Sequence, residues 1–125
     1  MSYEMCLVKA GAKVLAFQEF GDYQGSWYAL VEYKGERGWV EGSYGSCSGC
    51  DAFEAEFWDA YSEIEEMDER YAEFGRGYLE VVMPHDQQLV LMEALMGPPG
   101  GAYYYEDYKQ VYDWMKEVAK QLSIG

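Results

Sequence analysis

The first third of the chain alternates short apolar runs with glycine-containing connections, a pattern typical of a β-meander. The runs KVLAFQEF (13–20), SWYALVEY (26–33) and RGWVEGSY (37–44) are rich in aromatic and β-branched residues. In the second run, Trp27, Ala29, Val31 and Tyr33 alternate onto one face. The connections GDYQG and KGE place glycine where hairpin turns favour positive φ. We predict a three-stranded antiparallel sheet in a strand-rich region 1–46, with residues 3–9 as a candidate additional strand and one face to be covered by helices.

The apolar spacing becomes helical after residue 50. Six apolar residues fall on one side of a helical wheel: Phe53, Phe57, Ala60, Ile64, Met67 and Tyr71. The stripe predicts a helix over 51–74, with Cys50 or Asp51 as its N-cap and Gly75 just beyond its end. The run GYLEVVM (77–83) then predicts a fourth strand, and residues 86–96 predict a short helix that stops at GPPGG.

The last segment predicts a helix over 104–122 with one narrow apolar seam. Its apolar positions are spaced 4, 3, 4, 3 and 4 residues apart: Tyr104, Tyr108, Val111, Met115, Val118 and Leu122. Packing of this seam against the domain's own core is the favoured interpretation. A homodimer contact through the 104–122 helix is the alternative.

These elements predict an α+β fold in which a small antiparallel sheet of three to four strands is covered by two or three helices. A chain of 125 residues that is 50% hydrophobic suits a single domain over 1–125. Its longest apolar stretch is well short of the about 20 residues that a membrane span needs, and its start lacks a signal-peptide pattern. We therefore expect a cytoplasmic protein without a membrane partner.

Negative charge is concentrated in the predicted 51–74 helix. The net charge is −14, and residues 51–75 hold ten acids but only one base, Arg70. This balance argues against direct nucleic-acid binding through a basic patch and favours a basic partner. The ten acids occupy the arc that the apolar stripe leaves free, so a solvated helix face is the plain interpretation.

The density of these acids supports a second interpretation. At about 1.5 Å of rise per residue the carboxylates recur about every 3.5 Å, close to the roughly 3.4 Å between phosphates along one DNA strand. Like charges three or four residues apart, such as Asp59 with Glu63, destabilise a helix, and a solubility role does not need them. A surface that binds a basic groove does need such a concentration of negative charge.

Trp58 falls near the middle of the acidic arc. It either folds over a neighbouring element or serves as an aromatic anchor among charges, with Tyr61 beside it. The predicted partner-binding residues are Glu54, Trp58, Asp59, Tyr61, Glu63, Glu65, Glu66 and Glu69.

The CxxC motif in GSYGSCSGC has three interpretations. Cys47 and Cys50 are a redox pair at a helix N-terminus, or zinc ligands completed by Cys6 and His85, or small residues packed in a tight connection. Nearby acids oppose a thiolate, and a lone CxxC lacks the second pair of a zinc ribbon, which favours the structural interpretation. Zinc is therefore the only cofactor that the sequence raises.

The stretch GSYGSCSGCDAF, with the preceding hairpin GDYQGSWYALVEYKGERGWVEG, resembles a segment of small bacterial and phage-associated proteins without an assigned function. The resemblance covers about the first half of the chain and implies no catalytic role for any residue. It implies a context, since small acidic phage-type proteins are similar in kind to anti-restriction and anti-CRISPR inhibitors that occupy nucleic-acid grooves.

No complete catalytic motif is present, so the leading expectation is a non-enzymatic inhibitor that mimics nucleic acid. Its partner would be a basic protein such as a Cas effector or a restriction nuclease. The alternative is a small zinc-binding structural or regulatory domain that uses the CxxC.

Overall fold

The computed structural model describes residues 2–21, 25–45, 51–57, 64–99 and 105–123. The chain divides into two compact units, Met1–Met83 and Pro84–Gly125. The expectation that residues 1–125 form a single domain stays a prediction. Across the described ranges, every helix is too short or too polar to cross a membrane.

The first unit contains a three-stranded antiparallel meander, as predicted. Strands β1 (Lys13–Gly21), β2 (Gly25–Tyr33) and β3 (Glu36–Tyr44) lie in the order β1-β2-β3, and their bounds agree with the prediction to within one residue. Lys34 and Gly35 join β2 to β3 with φ of 51° and 81°, the conformation that a two-residue hairpin turn favours. Arg37 pairs with Glu32 across this hairpin at 2.6 Å.

Both faces of β2 are buried, whereas the sequence predicted one. Trp27, Ala29 and Val31 belong to the hydrophobic core on one face. Tyr28 and Leu30 alternate with them and are only 3% and 0% exposed. Strand β2 is therefore a central strand that is buried on both sides.

Residues 3–9 form a helix, so the candidate additional strand was wrong. Helix α1 (Ser2–Lys9) buries Tyr3, Cys6 and Leu7, which are spaced i, i+3 and i+4. That spacing places all three on one helical face, where they contact the core. The segment was considered as an addition to the neighbouring meander, but its buried residues follow the helical period.

The acidic segment forms helices α2 (Ala52–Phe57) and α3 (Ile64–Tyr78). Residues 58–63 lie outside the described residues, so the predicted continuity of one helix across them stays a prediction. The predicted end at residue 74 was wrong, because α3 continues through Gly75 and Gly77. A Cβ at Gly75 would overlap the carbonyl group of Cys6, so this glycine lets α1 and α3 approach closely.

The predicted strand 77–83 is reduced to one bridge. Gly77 and Tyr78 belong to α3, and of the following residues only Met83 pairs with the sheet. Its N–H donates to the carbonyl of Trp39 at 2.9 Å, and the N–H of Trp39 donates in return at 2.8 Å. Met83 thus covers one position of the β3 edge.

The second unit contains two helices close to their predicted bounds, α4 (His85–Met96) and α5 (Tyr105–Gln121). They contact each other, and the Tyr112 hydroxyl donates a 2.6 Å hydrogen bond to Glu93. The middle of the predicted seam is buried at Val111, Met115 and Val118, whereas Leu122 is 42% exposed. Tyr108 is half-buried and Tyr104 lies outside the described residues. A homodimer through this helix stays a prediction.

The α+β class is confirmed: a small antiparallel sheet is accompanied by helices. The described residues form three strands and five helices, more helices than predicted. The two additional helices are α1, where a strand was predicted, and α2, which is described separately from α3 because residues 58–63 lie outside the described residues.

Candidate functional site

Aromatic side chains pack the acidic helices α2 and α3 against each other and against Tyr3 of α1. Phe53 and Phe57 of α2 contact Tyr71 of α3 at centroid distances of 6.0 and 4.8 Å. Phe74 and Tyr78 extend this contact, and each has its ring 6.0 Å from that of Tyr3. The predicted stripe is therefore buried or half-buried at Phe53, Phe57, Met67 and Tyr71. Ala60 and the side chain of Ile64 lie outside the described residues.

Asp51 is the N-cap of α2, which agrees with one of the two predicted N-cap residues. Its Oδ1 accepts hydrogen bonds from the Tyr3 hydroxyl at 2.6 Å and from Phe53 N–H at 3.0 Å. Its Oδ2 accepts from Gly45 N–H at 2.8 Å. Asp51 is only 7% exposed, so its assignment to the solvated acidic arc was wrong. It fixes the start of α2 against the end of β3 and against α1.

This burial changes the acidity of the partner hydroxyl. Burial, and next the hydrogen bond to Asp51, raise the pKa of Tyr3 well above its ordinary value. Tyr3 therefore stays protonated and remains a donor to Asp51 at physiological pH.

The cations near α2 and α3 each pair with one acid. Arg70 lies 3.9 Å from Glu56, Lys9 lies 3.0 Å from Asp68, and Arg76 lies 3.4 Å from Glu69. Residues 51–75 hold ten acids and one base in the sequence. Of the acids that the structure describes, Asp51 is buried, and Glu56, Asp68 and Glu69 are those paired with these cations. All three pairs are largely exposed and contribute little to stability.

Glu73 is the acid of α3 that most clearly remains uncompensated. It is exposed, and no cation of the described residues lies within 4.0 Å of it. Glu69 precedes it by four residues, so the two carboxylates share one face of the helix. The pair forms the described part of an acidic surface on α3.

Seven of the eight predicted partner-binding side chains lie outside the described residues. Trp58, Asp59, Tyr61 and Glu63 lie outside the described residues. Glu54 belongs to α2 and Glu65 and Glu66 belong to α3, but their side chains also lie outside. Glu69 is exposed on α3 beside Arg76. The prediction of this interface therefore remains a prediction.

Of the predicted metal ligands, the structure describes Cys6 in the first unit and His85 in the second. Cys47 and Cys50 lie outside the described residues, Cys6 is fully buried in α1, and His85 begins α4. Burial raises the pKa of the Cys6 thiol to about 12, which disfavours the thiolate that zinc requires. Within the described ranges no three His, Cys, Asp or Glu side chains form a metal-binding group. The zinc site stays a prediction.

A groove that was not predicted from the sequence lies beside the end of α3. The groove has a volume of about 590 Å³ and lies between this helix end and the β2–β3 hairpin. Its lining residues are Tyr33, Lys34, Glu36, Glu73, Arg76, Gly77, Leu79, Glu80 and Val82. It depends on the continuation of α3 past Phe74, and the glycines of FGRG predicted the opposite.

No protein-family model, curated protein or solved structure matches the chain.

Proposed function

We propose that this protein is a non-enzymatic inhibitor that binds the basic nucleic-acid groove of a host defence protein, such as a Cas effector or a restriction nuclease. The observation that carries the proposal is the concentration of ten acids and one base in residues 51–75, with Glu69 and Glu73 exposed on one face of α3. Carboxylates on this surface would take the place of phosphates. Trp58 and Tyr61 would add apolar contact area.

The aromatic packing beneath α2 and α3 favours their use as a binding interface. Tyr3 contacts Trp27, Phe53, Phe74 and Tyr78 at centroid distances of 5.4 to 6.0 Å, so α2 and α3 share one aromatic base with α1 and the sheet. An interface on helices held in this way loses little entropy on binding. Repulsion among the acids is tolerated because the aromatic contacts, and not the helix surface, hold the helices in place.

The proposal is tested by inhibition of purified Cas effectors and restriction nucleases. The protein should block DNA cleavage by at least one of them, and a DNA duplex should compete with it for binding. Affinity should fall as salt concentration rises, since binding releases counterions from the basic groove.

Charge reversal at Glu73 tests the surface itself. Glu73→Lys should weaken inhibition about tenfold if this carboxylate contacts a cation of the groove. Asp59→Lys and Glu63→Lys should act in the same direction.

Glu117→Lys is a matched control on α5. Glu117 follows Asp113 by four residues and precedes Lys120 by three, as Glu73 follows Glu69 and precedes Arg76. Both positions are exposed, and both substitutions change the net charge equally. Equal loss of inhibition in both variants would contradict binding through α3, and so would inhibition that resists all the α3 variants. Failure to inhibit any effector would contradict the proposed partner class.

A further inference from the structure

Gly75 and Gly77, near the end of α3, differ in whether the fold requires a glycine. A Cβ at Gly75 would overlap the Cys6 carbonyl, so packing requires glycine there. At Gly77 a Cβ would have no heavy atom of the described residues within 4 Å. Gly77 also lacks the positive φ found at Gly11, Gly21, Gly35 and Gly97. Neither packing nor backbone conformation explains this second glycine, although glycine weakens a helix.

Gly77 lines the groove at the end of α3. Because it has no side chain, it exposes helix backbone on the groove wall, and glycine commonly serves where another molecule approaches the backbone closely. A ligand that approaches the backbone in the groove would account for glycine at this position.

The charged residues that line the groove are three acids and two cations, a net charge of −1 that favours a cationic ligand. Glu36, Glu73 and Glu80 are exposed in it. Of its two cations, Arg76 lies 3.4 Å from Glu69, and Lys34 lies 5.3 Å over the Tyr33 ring. The C-terminal end of α3 adds the negative end of the helix dipole, which also favours a cation.

The apolar part of the groove suits a long aliphatic stem. Leu79 is buried and Val82 is half-buried, and both lie beside the carboxylates. Arginine and lysine pair an aliphatic stem with a charged head group, so one such side chain can contact both parts of the groove.

We propose that this groove binds an extended basic segment of the partner, with an arginine or lysine side chain beside Gly77. Its charged group would meet Glu73 and Glu80, and its stem would cover Leu79 and Val82. The choice of a basic ligand rests on the proposed function. The site itself is a second contact, at the end of α3, in addition to the helix surface.

A capped peptide of alternating arginine and glycine is the probe. It is titrated into the full chain at low salt while backbone amide signals are followed by NMR. The largest shifts should fall within residues 76–82 and 33–36, and a glycine–serine peptide of equal length should cause none. Shifts spread evenly over the exposed acids of α3 and α5 would overturn the proposal.

Filling the space beside Gly77 tests the site directly. Gly77→Leu should weaken peptide binding about tenfold and Gly77→Ala should weaken it less, because leucine occupies more of the groove. Ala94→Leu, which introduces the same side chain at an exposed position of α4, should leave binding unchanged. Equal affinity of Gly77→Leu and Ala94→Leu would overturn the proposal.

Thermal unfolding separates a blocked groove from a damaged fold. The Tm of Gly77→Leu should be unchanged or higher, because a helix gains from the loss of glycine. If its Tm falls, Glu80→Gln replaces it as the deciding variant, since it removes charge without adding volume, and unweakened peptide binding there would overturn the proposal.

The two proposals fail differently. Absent peptide binding, with nuclease inhibition that is still sensitive to Asp59→Lys and Glu63→Lys, would overturn the groove alone. Peptide binding that requires Gly77, without inhibition of any nuclease, would support the groove and overturn the proposed partner class.

Discussion

The hydroxyl of Tyr3 donates a 2.6 Å hydrogen bond to Oδ1 of Asp51, a residue 48 positions away in the chain. This contact joins α1 to the start of α2. The same Asp51 carboxylate accepts from Phe53 and Gly45, so one buried acid holds three segments together.

Tyr3→Phe should destabilise the protein by about 1–3 kcal/mol, because it removes a donor from a buried carboxylate while keeping the aromatic contacts. Urea unfolding gives the free energy. Tyr71→Phe is the matched control, since Tyr71 stacks on Phe53 at 6.0 Å and should change stability by less than about 0.5 kcal/mol. Equal effects of the two variants would show that the Asp51 contact contributes nothing.

Asp51→Asn should be more harmful than Tyr3→Phe. An asparagine that keeps the cap to Phe53 and the bond from Tyr3 must place its NH₂ group at the position of Oδ2, where it faces the Gly45 N–H donor. We expect a loss of about 2–4 kcal/mol, because the charge-assisted bonds disappear and one donor is left unpaired. Far-UV circular dichroism during urea unfolding measures this loss. A variant as stable as the original chain would mean that the carboxylate charge is not used.

Gly75→Ala and Gly77→Ala should have opposite effects on stability. The first forces α1 and α3 apart at Cys6 and should cost about 1–3 kcal/mol. The second meets open space and should be neutral or stabilising by up to about 1 kcal/mol. Each variant controls for the other, because both make the same substitution in one helix. A Gly75→Ala protein as stable as Gly77→Ala would contradict the close approach of the two helices.

These contacts show which parts of the fold were predictable. The strands were found because alternation and hairpin glycines are local signals, as at Trp27–Val31 and Lys34–Gly35. The end of α3 was missed because Gly75 is required by a carbonyl in α1, almost 70 residues earlier. That requirement is visible only when residues 3–9 are known to be helical.

The candidate site, like the fold, was predictable only in part. The excess of acids in residues 51–75 could be counted from the sequence, and Asp51 was correctly predicted as a possible cap. Its burial could not be predicted, because Tyr3 reaches it from a distant helix. The groove beside Gly77 was also hidden, since it brings together the β2–β3 hairpin and a helix end that no local pattern connects.

The protein should unfold at a lower alkaline pH than the titration of its exposed groups alone would cause. Burial raises the pKa of Cys6 from 9.0 to about 12, and burial also raises the pKa values of Tyr3 and Tyr78. The unfolded chain therefore releases these protons at a lower pH than the folded chain. The Cys6 contribution to stability is present below about pH 9 and is lost as the pH rises toward about 12.

Urea unfolding at a series of alkaline pH values measures this slope. Cys6→Ala should make the fall in stability shallower above pH 9 even if it lowers stability at neutral pH through a cavity. The same variant should leave the slope below that pH unchanged. An unchanged alkaline slope in Cys6→Ala would show that this thiol does not titrate with folding.

Glu73→Lys should strengthen the fold while it weakens the proposed interface. The new lysine would follow Glu69 by four residues, the favourable order for an ion pair on a helix, and should stabilise α3 by about 0.3–0.5 kcal/mol. The lysine also places a like charge three residues before Arg76, which reduces this gain. Glu117→Lys has the same sequence spacing to Asp113 and Lys120, but it removes an exposed hydrogen bond from Gln121, and Asp113 already pairs with Lys109. These exposed contacts contribute little, so the two variants should differ in stability by less than about 1 kcal/mol. Urea unfolding at low and high salt compares the two, and the ion-pair gains should shrink as salt screens the charges. Because the expected stability effects are similar, a loss of inhibition confined to Glu73→Lys would be due to the position of the charge on α3. A large loss of stability in Glu73→Lys alone would instead show that Glu73 supports the fold.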